Sequence, residues 1–304
     1  MPEFPGDPEN IAFDTPVPDA LSRQPRKKER LDLSRQLRMD RELVVAHLFV
    51  ADDAGPARPI TNGRHHKPTG RHYMIKAGFR SSPWESMEGE YPFMQLSEVA
   101  TAVHRFLAQP HRLEMQVVGS AKRWVYFPDA RIEVDRPFGE MLLNGVPFDQ
   151  AVAEWRPHMA DGATMVVLVE VKTDNDRRAD ESDYKAKLTL AREVYHRLGW
   201  GFVTVRQSDI AMHDIAYSVR EIGLDHDTSV DAEDVRIAAE CAAAPYADLG
   251  TLVRELGGRP IGMAKAAALH VRRVVHIGLD NHLRPDTRVR LVGDGKDLFG
   301  VMRR

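Results

Sequence analysis

Apolar residues in the segment 92–108, PFMQLSEVATAVHRFLA, fall at three- and four-residue steps: Phe93, Leu96, Val99, Val103 and Phe106/Leu107. That spacing predicts one amphipathic helix. After Gln109-Pro110 the pattern changes. Segments 112–119 and 123–134 alternate or run apolar with Val, Tyr, Ile and Phe, as strands do, and Gly119-Ser120 marks a hairpin. A polar insert punctuated by Gly and Pro spans 135–162, with one helix-like stretch near 148–158. The most apolar run of the chain follows, Met165-Val166-Val167-Leu168-Val169-Glu170-Val171-Lys172, with the length of a strand buried on both faces. A helix over about 180–198 places Tyr184, Leu188, Ala191, Val194 and Tyr195 at helical steps. Gly199-Trp200-Gly201 then leads to a short strand at 202–205. The order helix, three strands, helix, strand predicts an α/β layered fold.

The last third reads as helices over 231–243 and 246–257, the second closed by Gly257-Gly258, and a third from Ile261 to Val275. In the third, Met263, Ala267, Val271 and Val274 make one face, with Lys265, Arg272 and Arg273 off it. An alternating strand over 287–292 completes the layout of a winged helix, for which a plain helical packing domain is the alternative.

Composition narrows the class. Among 304 residues, 42 Lys+Arg face 45 Asp+Glu, a net charge of −3, with 43% hydrophobic residues. This is a globular profile rather than a polycationic coat for nucleic acid. With no apolar run long enough for a membrane span and no secretory pattern at the start, the expected location is the cytoplasm. The single cysteine, Cys241, is expected to be a small buried hydrophobe. Charge is uneven along the chain. Residues 1–20 are Pro-rich and acidic and are expected to be disordered, whereas 21–80 hold fourteen Lys+Arg against six Asp+Glu. That excess, including Arg26-Lys27-Lys28, Arg64 and Lys67, suits an arm that tracks DNA phosphates; a solvated linker with a helix at 33–45 is the alternative. The cationic neighbours of His65, His66 and His72 speak against a metal there. The expected division is 1–80 disordered start and basic arm, 81–212 α/β domain and 213–304 C-terminal domain.

Two features of the strands point to chemistry. The buried strand ends Glu170-Val171-Lys172, which places an acid and a base on one face two residues apart. Desolvating both costs several kcal/mol (~) unless compensated. Pro128-Asp129 interrupts the preceding strand, where proline removes a ladder donor. Two acids on neighbouring strands with a lysine beside them make a hard-oxygen site for magnesium, with Lys172 orienting or deprotonating an attacking water. A structural ion pair between Glu170 and Lys172 is the other reading.

Pro128-Asp129 followed by Glu170-Val171-Lys172 resembles the PD-(D/E)xK nuclease signature. The wider set of motifs resembles the TnsA family of transposon endonucleases over about 85–212: Glu90-Tyr-Pro-Phe-Met-Gln-Leu, Gln109-Pro110, the helix with Lys185, Lys187, Ala191 and Tyr195, then Gly199-Trp200-Gly201-Phe202-Val203-Thr204-Val205 and Asp209-Ile210. The resemblance implies a restriction-endonuclease-like α/β core with a C-terminal winged-helix domain. It implies Glu90, Asp129 and Glu170 as metal ligands, Lys172 as the catalytic lysine and the Val171 carbonyl as a further ligand. It implies Mg2+, with Mn2+ able to substitute, and cleavage of double-stranded DNA at transposon ends beside a DDE-type transposase and an AAA+ regulator. Pro92 follows Glu90 closely, so Glu88 is the reserve ligand. The insert between Asp129 and Glu170 is longer than the family leads one to expect. A stand-alone restriction or repair nuclease, and a DNA-binding adaptor with a decayed site, are the alternatives.

Overall fold

The computed structural model describes residues 44–51, 55–58, 68–176, 181–279 and 282–292. Its centre is a mixed four-stranded sheet. β4 (Val103–Ala108) pairs antiparallel with β7 (Ala130–Asp135), β7 antiparallel with β8 (Thr164–Lys172), and β8 parallel with β9 (Gly201–Arg206). A second, three-stranded sheet joins β1 (Val44–Val50), β5 (His111–Val117) and β6 (Arg123–Tyr126). A small hairpin pairs β2 (Gly70–Met74) with β3 (Arg80–Trp84).

The side-chain alternation of β8 separates two cores. Val167, Val169 and Val171 join the larger apolar cluster together with Phe93 of α1 (Glu90–Val99) and the C-terminal helices. Leu168 joins the smaller cluster with the three-stranded sheet and with Leu190, Ala191, Val194 and Tyr195 of α4 (Ser182–Arg197). Glu170 and Lys172 continue the Leu168 face, so both point toward α4 and β6 rather than toward α1.

The chain passes between the two larger sheets at two corners. At Gln109-Pro110 it leaves β4 for β5, with Gln109 in the left-handed region at φ 44°. At Phe127-Pro128-Asp129 it leaves β6 for β7. A proline contributes no ladder donor, so each Pro marks where one sheet stops. The corners touch, the Gln109 N–H donating to the Asp129 carbonyl at 2.8 Å.

Several expectations need correcting. The predicted helix over 92–108 is a helix only to Val99, and Val103–Ala108 is strand β4. Short apolar runs fit both periods, and pairing with β7 decides this one. Pro92 lies in the first turn of α1, where no intrahelical donor is lost. The insert holds two helices, α2 (Arg136–Leu143) and α3 (Phe148–Glu154), where one was expected. Val44 and Val45, read within an alternative helix at 33–45, are strand; β1 and β2 also lie inside the stretch read as a basic arm, so part of that stretch is folded. Arg26, Lys27, Lys28, Arg64 and Lys67 lie outside the described residues, as does the segment 1–20. Cys241 is half-buried at the margin of the larger core rather than buried within it.

The C-terminal part comprises α5 (Ala216–Leu224), α6 (Ala232–Ala242), α7 (Leu249–Glu255), α8 (Ile261–Val271) and a ribbon of β10 (Val275–Ile277) and β11 (Val289–Leu291). Asp231 and Asp248 accept backbone N–H groups at the starts of α6 and α7, as N-caps do. A bridge from Asp248 to Arg288 adds a third short strand position beside the ribbon. α8 ends four residues before the predicted Val275, and β10 was not anticipated. Gly262 permits α8 to lie against α7, because a Cβ there would stand 2.0 Å from the Val253 carbonyl oxygen. α8 is buried along most of its length. Its His270 ring takes the Ile277 N–H on Nδ1 (2.9 Å) and donates from Nε2 to the Val99 carbonyl of α1 (2.8 Å), so the C-terminal part and α1 share one core. Among the described residues no helix is long and apolar enough to cross a membrane.

Candidate active site

Four of the residues singled out from the sequence meet at one end of the central sheet. Asp129 stands immediately before β7, and its Oδ2 accepts the Val171 N–H of β8 at 2.7 Å. The backbone of Asp129 continues the ladder, its N–H donating to the Val169 carbonyl at 3.1 Å. Pro128 ends the pairing there, and the Asp129 side chain supplies an acceptor for the next donor on β8. Glu170 and Lys172 are buried on the same face of β8, with Lys172 Nζ 2.6 Å from Glu170 Oε1 and 3.3 Å from Asp176 Oδ2.

Glu90 is the first residue of α1 and is buried, whereas Glu88 is exposed. Of the two, Glu90 is the one enclosed near Asp129. Its Oε2 accepts the Glu85 N–H at 2.9 Å. Val171 faces α1 with its side chain, since a Cβ on Gly89 would meet Val171 Cγ1 at 3.1 Å. Of the Val171 backbone, the amide N–H is the group held by Asp129.

Burial and mutual repulsion set the charge states. Burial pushes the Glu90 carboxyl up to about 7; the Glu85 N–H opposes this, while the charges of Glu85 and Glu170 add to it. Asp129 is raised well above the usual carboxylate range by withdrawal from solvent, then by the charges of Glu170 and Glu90, with the Val171 N–H and Lys172 opposing. These couplings tie the three acids into one electrostatic cluster.

Both oxygens of Glu170 are engaged. Tyr126 of β6 donates its hydroxyl to Oε2, and Tyr184 of α4 donates to Oε1 beside Lys172. The Lys172 ammonium also lies 4.6 Å from the centre of the Tyr184 ring. On the α1 side, Arg58 pairs with Glu85 and donates from Nε to Gln109 Oε1 at 3.1 Å, which ties the Gln109 corner to the Glu90 turn.

Sequence reasoning missed Tyr126, Asp176 and Arg58 altogether and treated Tyr184 as a helix-face position. Tyr126 alternates correctly for a buried strand residue, but its partner is set by how β6 crosses β8, which no local pattern encodes. Among the described residues no three His, Cys, Asp or Glu side chains are gathered as a ready set of metal ligands. The donor set of Glu90, Asp129 and Glu170 is nevertheless all oxygen and acidic, which fits a hard divalent cation in kind. Gathering it requires Glu170 to exchange at least one of its present partners. No protein-family model matches this chain, and no curated protein matches it.

Proposed function

We propose that the chain is a metal-dependent DNA endonuclease resembling the TnsA family, cutting one strand at transposon ends beside a separate DDE-type transposase and an AAA+ regulator. The observation that carries this reading is the electrostatic coupling of the buried Asp129, at a sheet corner, to Glu90 of a helix start and to Glu170 and Lys172 of the central strand. A structural ion pair needs one acid and one base. Two further acids, pushed toward their protonated forms first by burial and then by neighbouring carboxylates, are a cost to the fold, and such costs are characteristic of functional sites.

The order β4-β7-β8-β9, with α1 before β4 and α4 between β8 and β9, supports a restriction-endonuclease-like core. The succession α6, Asp248 bridge, α7, α8, β10, β11 supports a winged helix behind it. Glu90, Asp129 and Glu170 would hold magnesium or manganese, which would polarise a phosphodiester and offset its repulsion by the acids. Lys172, aimed by Glu170 Oε1, has its ammonium placed to orient a water or to hydrogen-bond a phosphate oxygen. Tyr126 fixes the Glu170 carboxylate from the opposite side, and Arg58 offsets negative charge next to Glu90.

The test is nicking of supercoiled plasmid by the full chain with Mg2+, Mn2+ or Ca2+. Nicking with the first two is expected, with at least a hundredfold loss in Lys172→Met assayed at a temperature where circular dichroism shows that variant to be folded. Calcium is expected to support binding without turnover, because its loose coordination places water poorly. Nicking undiminished in Lys172→Met would remove the assignment. A transposase and an AAA+ ATPase encoded next to this chain would favour transposition over a stand-alone nuclease.

A further inference from the structure

β9 is an edge strand of the central sheet, and its register with β8 sets Arg206 beside Lys172 and Thr204 beside Glu170. Partners in a parallel pair share a face, so Thr204 and Arg206 extend the face that bears the site residues, and both are exposed. A groove of about 990 Å³ begins at Lys172 and Arg206 and follows β9 back to Gly201 and Trp200, with α4 as its other wall. Six residues of strand make it about 20 Å long.

The α4 wall presents Lys185, Leu188, Arg192 and His196 at steps of three and four, one stripe of the helix. Arg192 lies with its guanidinium 5.6 Å from the Phe202 ring centre, which holds it along the groove. Neither Arg192 nor Arg206 has an ion-pair partner among the described residues, although both line a cavity. Of the acids of the groove, Glu193 pairs with Arg197 at 3.1 Å, and Asp174, which accepts the Ser208 hydroxyl at 3.1 Å, is outnumbered by Lys185, Arg192 and Arg206. The groove is therefore cationic where the site at its end is acidic.

We propose that this groove binds the sugar–phosphate backbone of a DNA strand, with Arg192 and Arg206 contacting phosphates, and leads that strand to Lys172. The assignment of the strand as substrate rests on the nuclease reading, while the polyanion-binding groove stands on its own geometry. An extended peptide added to the free edge of β9 would use backbone hydrogen bonds and leave the two arginines without a role, so charge decides between the occupants.

The experiment uses the full chain, a fluorescein-labelled 30-bp duplex in Ca2+ buffer, and anisotropy titrations over a range of salt. Wild type is compared with R192A/R206A and with R236A, whose arginine lies outside the groove. The expected result is a slope of log affinity against log salt shallower by up to about 1.8 in the double variant and unchanged in R236A. Melting temperatures should be retained, since both groove arginines are exposed. Equal slopes for wild type and R192A/R206A, or no DNA binding by wild type, would overturn the groove. Lys172-dependent nicking with equal slopes would leave the nuclease standing without the groove. A slope change without any nicking would leave the groove and remove the nuclease.

Discussion

The carboxylate of Asp129 stands where the backbone of its own strand runs out: Pro128 stops β7, and Asp129 Oδ2 takes the Val171 N–H of β8 at 2.7 Å. The same side chain is therefore a structural acceptor and, with Glu90 and Glu170 near it, the most crowded acid of the candidate site. The two roles separate by substitution. Asp129→Asn keeps an oxygen for Val171 and removes the charge, so its urea midpoint at pH 8 should equal or exceed wild type while plasmid nicking is lost. Asp129→Ala strands the Val171 N–H and should cost about 1–3 kcal/mol in the same unfolding series. An Asn variant that nicks at the wild-type rate would assign Asp129 to structure alone.

Glu170 Oε1 is shared by the Tyr184 hydroxyl and the Lys172 ammonium, while Oε2 is held by the fully enclosed Tyr126. Tyr184 sits at the start of α4 and is only partly buried, so its loss disturbs little packing. Tyr184→Phe should leave the melting temperature within about 2 °C, as a change well under 1 kcal/mol implies. It should also tighten Mn2+ binding several-fold by freeing an oxygen. Tyr126→Phe should destabilise by about 1.5–3 kcal/mol, because it removes a hydrogen bond to a charged, buried carboxylate. Manganese titrations of the two variants read the first effect, and weaker binding in Tyr184→Phe would show that the tyrosine presents the ligand rather than latches it.

The part of this arrangement that was legible in the sequence is the part written along single strands. Met165–Lys172 reads as a buried strand because its residues are apolar on both faces, and the acid and lysine at its end stand out against that background. Pro128-Asp129 stands out because proline is misplaced within a strand. Glu90 needed the family resemblance, since an acid at a helix start is commonplace. The hydroxyls of Tyr126 and Tyr184 and the Arg58 guanidinium reach the site from other elements, and their roles depend on how those elements pack; Asp176 is local, four residues beyond Lys172 in the turn after β8. The reading of 92–108 as one helix failed for a related reason. Val103 and Phe106 suit a helical stripe equally well, and only the presence of β7 alongside makes them a strand.

Glu90, raised to about 7 by burial, gives a definite sign to the pH dependence. An acid whose folded pKa exceeds its ordinary value favours folding while protonated. Its contribution is complete below about pH 4.5, is lost as pH rises toward 7, and is level above that. The size is up to about 3 kcal/mol. The buried histidines His111, His270 and His276 are held neutral and act in the opposite sense as pH rises toward 6.5, so the total curve conceals Glu90. The difference between wild type and Glu90→Gln isolates it: the Gln variant should gain stability relative to wild type between pH 4.5 and 7.5. Added Mg2+ should narrow that gap at pH 7.5 and leave it unchanged at pH 4.5. A gap independent of pH would place Glu90 in solvent.

His270 binds the two ends of the molecule's larger core, accepting the Ile277 N–H of the ribbon and donating to Val99 at the C-terminal end of α1, whose first residue is Glu90. The apolar cluster around it runs without interruption from Phe93 to Leu252, Leu269 and Val292. The division at residue 212 therefore cuts through a core rather than between two. A fragment ending at 212 would expose the α1 surface that α8 covers, and it should fail to give a cooperative thermal transition. The full chain should unfold in one transition by circular dichroism and by tryptophan fluorescence alike. His270→Ala strands a buried donor and a buried acceptor, at about 1–3 kcal/mol each, and should lower both probes together. Two separate transitions in the full chain, with His270→Ala moving only one of them, would mean that the C-terminal part folds independently of α1 and does not help to hold Glu90 in place.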